Sequence, residues 1–143
     1  GYTLLQTGDG TPDAIIIATG SEVELAVNAA KALTGKNVRV VSMPCQEVFL
    51  EQASSYQKVV LPGHLPTLSI EASAVHGWHR FSHAQIGMTS FGMSGAGDAV
   101  FAHFGFTAEN IASKGKALVE FYKSNGPVPD LSNRPVFEAI NGH

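Results

Sequence analysis

Three of the chain's six histidines, His76, His79 and His83, form its densest group of potential ligands. On a helix these positions share one face and would offer three imidazoles to a zinc ion. The run holds no cysteine or carboxylate to complete the ligand set, and Gly77 weakens a helix. Trp78 and Phe81 point instead to aromatic packing or a subunit contact, where exposed Trp and Arg are enriched. No metal site is expected there. Cys45, the sole cysteine, follows the end of an expected strand, where loops carry function. Its neighbours Pro44, Gln46 and Glu47 supply neither cation nor base, so a buried, inert thiol is expected. Neither a nucleophile elbow nor a Walker phosphate loop occurs.

The glycine loops offer other chemistry. Gly8-Asp9-Gly10 has the form of the triplet that opens the Mg²⁺-diphosphate motif of thiamine enzymes. It precedes the first long strand rather than following one, Asn28 falls in a helix, and Asn37 is solitary. A second oxygen ligand is therefore out of register, and a turn is expected. Gly95 and Gly97 precede a helix whose free amides could hold a phosphate, yet Asp98 puts a negative charge there, so capping is the expected role. Gly20 and Ser21 form a similar cradle after a strand, at the edge where open α/β sheets bind ligands, with Glu22 opposing an anion. With Glu71 at the end of a strand and Trp78, these residues are the candidate ligand or interface contacts. No catalytic or cofactor-binding residue is assigned.

The elements that would position these residues follow from the apolar pattern. Asp13–Gly20 is apolar on both faces, as a central strand covered by helices requires. Ser21-Glu22-Val23-Glu24 has the form of a capping box, in which the Ser21 hydroxyl accepts from the Glu24 amide. Val23, Ala26, Val27, Ala30 and Leu33 trace one helical face, ended by Gly35 in the left-handed region. Asn37–Met43 supplies the next strand, which makes a right-handed βαβ unit. Gln46–Val60 holds two short helical stretches, Thr67–Glu71 and Gln85–Met88 are further strands, and Tyr2–Leu5 can pair at an edge. Asp98–His103 is a short helix, and Thr107 caps a longer one running to about Ser124. In that helix Ala108, Ile111, Leu118 and Tyr122 share a face. Gly115 costs roughly 1 kcal/mol in its interior and marks close helix packing.

The expected fold is α/β, a three-layer α/β/α arrangement around a mostly parallel, mixed sheet of about five strands. Residues 1–126 form the domain. Pro127, Pro129 and Pro135 make 127–143 a tail rather than a further element.

A chain of 143 residues, 44% hydrophobic, can build one core without disulfides. Nine basic and twelve acidic residues give a net charge of −3, with no run of like charge for nucleic acid or a lipid surface. The longest apolar run, Ala14–Ala18, falls far short of the ~20 residues of a membrane helix. Neither nucleic acid nor membrane is an expected partner. A lone cysteine fits a reducing compartment, and the cytoplasm is the expected location. The start at Gly1 suggests a piece of a longer protein.

Seven segments in order carry a family resemblance: Ala18–Val23 (ATGSEV), Val40–Pro44 (VVSMP), Tyr56–Pro62 (YQKVVLP), Ser69–Ala72 (SIEA), Gly77-Trp78, Phe91–Gly95 (FGMSG) and Phe104–Ile111 (FGFTAENI). Together they resemble the C-terminal, third domain of transketolases, from about Tyr2 to Tyr122. 1-Deoxyxylulose-5-phosphate synthase and the beta subunits of 2-oxo-acid dehydrogenases share that domain's fold, and an independent small-ligand module using Gly20 and Gly95 is a further alternative. The resemblance implies a parent enzyme that moves a two-carbon ketol unit between sugar phosphates in the pentose phosphate pathway. It implies that thiamine diphosphate and Mg²⁺ are held by the other domains, none in this chain. A homodimer stabilised by this domain and a regulatory role for it are implied, and the isolated chain is expected to be inactive. Thr89 and Ser90 stand where many transketolases carry Asp-Arg before Phe-Gly, so the resemblance implies no contact through that charged pair here.

Overall fold

The computed structural model describes residues 1–88 and 97–135. Five strands form one sheet: β1 (Tyr2–Gln6), β2 (Ala14–Ala18), β3 (Val38–Ser42), β4 (Thr67–Ala74) and β5 (Ala84–Met88). Their spatial order is β1-β3-β2-β4-β5. β2 is central and pairs in parallel with β3 and β4, β4 pairs in parallel with β5, and β1 runs antiparallel along β3. This is the mixed, mostly parallel sheet of a three-layer α/β/α fold.

All five residues of β2 are buried, and Ile15, Ile16 and Ile17 expose nothing. Alternate residues serve opposite layers. Ile16 and Ala18, with Val38, Val40, Leu68 and Ile70, pack under the first layer. That layer is α1 (Glu22–Ala32) and α5 (Ala108–Asn125). Ile15 and Ile17, with Val41 and Met43, meet Phe49 of α2 (Gln46–Leu50), Val60 of α3 (Ser54–Val60), Trp78 and Phe81 on the other side. Each fully buried Ile contributes roughly 1.5–3 kcal/mol, which is why an uninterrupted Ala-Ile-Ile-Ile-Ala run takes the centre of the sheet.

Two helix starts differ in chemistry. Thr107 accepts the Asn110 amide on its hydroxyl and caps α5 as expected. Ser21 does not cap α1. It already has helical φ and ψ (−65° and −25°), so its hydroxyl cannot reach back over the Glu24 amide and instead donates to Glu22 Oε1 at 2.7 Å. On α1 the buried positions are Glu22, Ala26, Ala29 and Ala30, while Val23 and Val27 are half-buried. Gly115 is buried where α5 crosses α1, and a Cβ there would lie 3.3 Å from Leu33 Cδ1. α4 (Gly97–His103) precedes α5.

The described part of the segment after α5 docks on the domain. Residues 127–135 contain neither helix nor strand, yet they lie back on the domain through backbone groups. Leu131 donates its amide to the Gly63 carbonyl at 3.0 Å, and Arg134 Nη2 donates to the His79 carbonyl at 3.2 Å. Any Cβ on Gly63 would overlap Asp130 and Ser132, so glycine is what lets the segment approach.

Candidate functional site

The carboxyl edge of the sheet holds Gly20, Ser21 and Glu71. Gly20 has φ +55° and, like Ser21, is exposed. Beneath them Glu22 is only 4% exposed. Glu71 is half-buried, and burial, reinforced by the Glu22 charge, pushes its carboxyl above the ordinary glutamate value. An edge with two carboxylates repels phosphates, so the described part of this edge is not an anion cradle. Gly97 opens α4, and Gly95 lies outside the described residues, as do Thr89 and Ser90.

Trp78 is not an exposed interface residue. It is 4% exposed and meets Phe81 edge-on at 6.3 Å, while Phe81 meets Phe49 at 6.1 Å, so the indole belongs to the chain's own core. The histidine helix does not form either. Gly77 takes φ +88°, and the segment makes only a short 3-10 turn, Trp78–Arg80. His83 already uses both ring nitrogens: Nδ1 accepts the Thr67 amide at 3.2 Å and Nε2 meets the Pro129 carbonyl at 2.8 Å. His76, His79 and His83 therefore do not converge, and among the described residues no group of three or more His, Cys, Asp or Glu could hold a metal ion.

Cys45 is half-buried rather than buried, with Sγ 3.3 Å from Glu47 Oε2. Gly8-Asp9-Gly10 is a turn, with Gly10 at φ +74°. Asn37 Nδ2 donates to the Asp9 carbonyl at 2.8 Å and the Thr11 carbonyl at 3.2 Å, tying the turn down. Asn37 Oδ1 is buried without a partner, but one amide oxygen is not the set of oxygens that Mg²⁺ on a diphosphate needs. These residues do not fit thiamine diphosphate.

What residue-by-residue reasoning missed is a cleft of about 800 Å³ between α3, the Pro62–Gly63 turn, the segment His76–Phe81 and residues 131–135. Lys58, Arg80 and Arg134 line it. They are far apart in the sequence, and only the return of the C-terminal segment brings Arg134 to the other two. Asp130, beside this segment, accepts the Ser132 hydroxyl and amide on Oδ1, and these bonds hold its carboxyl below the usual aspartate value.

Residues 1–107 match the family model described as the transketolase-like TK C-terminal domain. The chain belongs to the transketolase C-terminal domain family. It is 44% identical over 133 residues to the transketolase of Scheffersomyces stipitis, covering 92% of this chain and 19% of that protein. It is 47% identical over 125 residues to transketolase 2 of Vibrio vulnificus, covering 83% of this chain and 19% of that protein. Its fold superimposes on a Pichia stipitis transketolase, crystallised with sedoheptulose 7-phosphate, with a TM-score of 0.84 at 42% identity over 95% of this chain and 20% of that one. A transketolase from Leishmania mexicana gives 0.83 at 41% identity, covering 92% and 19%. This transketolase C-terminal domain thus spans about a fifth of the length of the relatives it matches.

Proposed function

We propose that this domain serves a transketolase parent, which transfers a two-carbon ketol unit between sugar phosphates with thiamine diphosphate and Mg²⁺ held by its other domains. The observation that carries this reading is identity above 40% to complete transketolases, confined to a C-terminal fifth of their length. The domain's own part is structural. It presents contacts to the rest of the parent chain and stabilises a homodimer, and regulation would act through those contacts. Tyr2, Leu4 and Val59 support this: the first two lie on the edge strand, and they expose 47%, 45% and 71% of their surface. Apolar side chains so exposed suit a surface that another part of a protein covers. A half-buried free Cys45 fits a reducing, cytosolic compartment.

The test is to purify the parent with and without this domain and measure its mass in solution together with ketol transfer. The reading expects a dimer whose stability falls when the domain is removed, and loss of that dimer when Leu4 and Val59 are both changed to Asp. A truncated parent that dimerises as tightly as the full one would refute the structural role.

A further inference from the structure

The cleft under the C-terminal segment carries a concentration of positive charge that the chain's overall charge does not suggest. Net charge is −3 with nine Lys and Arg in all, yet Lys58, Arg80 and Arg134 line this one cleft and, among the described residues, no Asp or Glu does. All three cations are exposed to solvent. Among the described residues the only ion pairs join Glu120 to Lys36 and Lys123, so none of the three has a carboxylate within 4.0 Å there. Asp130 acts on Lys58 through space, but its Oδ1 is taken by Ser132.

Arg134 is also oriented. Its Nη2 donates to the His79 carbonyl, next to Arg80 in the chain, at 3.2 Å. A guanidinium has five N–H donors in a planar fork, so one bond to a carbonyl leaves most of them for a second acceptor. Apolar side chains also line the cleft, Leu61, Phe81 and Leu131 among them. A volume of about 800 Å³ lies within the range of small-molecule sites, which pair an apolar lining with a few convergent polar groups.

We propose that this cleft binds a small organic phosphate ester, its phosphate held by Arg80, Arg134 and Lys58 and its organic body lying against the apolar wall. Phosphate matches the planar fork of arginine and a neighbouring ammonium better than a singly charged acid does. The proposal concerns this chain's own surface and stands whether or not the parent performs ketol transfer.

The test is titration of the 143-residue chain by calorimetry and amide NMR with fructose 6-phosphate and with ADP, beside fructose, adenosine and inorganic phosphate. At least one phosphorylated probe should bind at least about tenfold more tightly than its unphosphorylated counterpart, as charge-assisted bonds to phosphate require. It should shift the amides of residues 77–81 and 131–134. Arg80→Gln and Lys58→Gln should each weaken binding several-fold, and Lys114→Gln on α5 should leave it unchanged. Arg134→Gln could loosen the C-terminal segment, so Arg80 and Lys58, on separate elements, carry the test if it does. Absence of binding by both phosphorylated probes, or equal binding by the Arg80→Gln and Lys58→Gln variants, overturns the proposal. Inorganic phosphate binding as tightly as the esters overturns the assignment of an ester.

Discussion

The Thr67 amide donates to His83 Nδ1 at 3.2 Å, which leaves the proton of that ring on Nε2, facing the Pro129 carbonyl at 2.8 Å. One neutral imidazole thus ties the start of β4 to the C-terminal segment. A proton on Nδ1 would confront the Thr67 N–H. Burial lowers the His83 pKa, and the Pro129 carbonyl opposes that shift only in part. Because the folded value lies below the unfolded one, the stabilisation is present above the ordinary histidine value of about 6.5 and is lost as pH falls through the folded value. Melting between about pH 8 and pH 5 should show a fall that His83→Gln flattens. His83→Ala, which leaves the Thr67 amide without its acceptor, should cost about 1–3 kcal/mol, and hydrogen exchange at the Leu131 amide should quicken.

Glu71 gives the opposite sign. Its carboxyl pKa is raised, first by burial and then by Glu22. Ionising it therefore costs more in the folded chain than in the unfolded one, and stability falls as pH rises through the raised value. Glu71→Gln should melt higher than wild type near pH 7, with the advantage vanishing below about pH 4, where the carboxyl is protonated in both states. Denaturant titrations at the two pH values measure it.

The crossing of α1 and α5 depends on the missing side chain at Gly115. Leu33 Cδ1 would stand 3.3 Å from a Cβ there, a contact that a small shift of a flexible terminus relieves. Gly115→Ala should accordingly be close to neutral, its gain in helix propensity of about 1 kcal/mol offset by that shift. Gly115→Val adds two methyls with no such escape and should lose about 1–3 kcal/mol by thermal denaturation.

Thr107 accepts the Asn110 amide at the start of α5. Removing the hydroxyl in Thr107→Ala should lower stability by about 1 kcal/mol, and Thr107→Ser should recover most of it. Chemical denaturation of the three proteins checks the order.

The sheet was legible because its centre is written locally. Ala14–Ala18 is apolar at every position, and only a strand covered on both faces needs that. Gly115 was legible too, since glycine inside a helix has a propensity cost that packing must offset. Ser21 misled because a capping box assumes that the Ser lies outside the helix, whereas here it has already turned helical and meets Glu22. Of the two readings of Trp78, aromatic packing held and the interface did not: it shares a core cluster with Phe49 and Phe81, and Gly77 breaks the periodicity that would have assigned it a face. The C-terminal segment meets the carbonyls of Gly63 and His79 and the ring of His83, partners 46 or more residues away in sequence, so no local pattern announces the docking. The cleft went unseen for the same reason, since Arg134 joins Lys58 and Arg80 only once that segment has docked.

Ketol transfer by the purified 143-residue chain, supplied with thiamine diphosphate, Mg²⁺, xylulose 5-phosphate and an aldose phosphate acceptor, decides whether the chemistry resides outside this domain. No turnover above background is expected, because Gly8-Asp9-Gly10 is a turn tied to Asn37 rather than a cofactor motif. Sustained turnover by this chain alone would contradict that expectation.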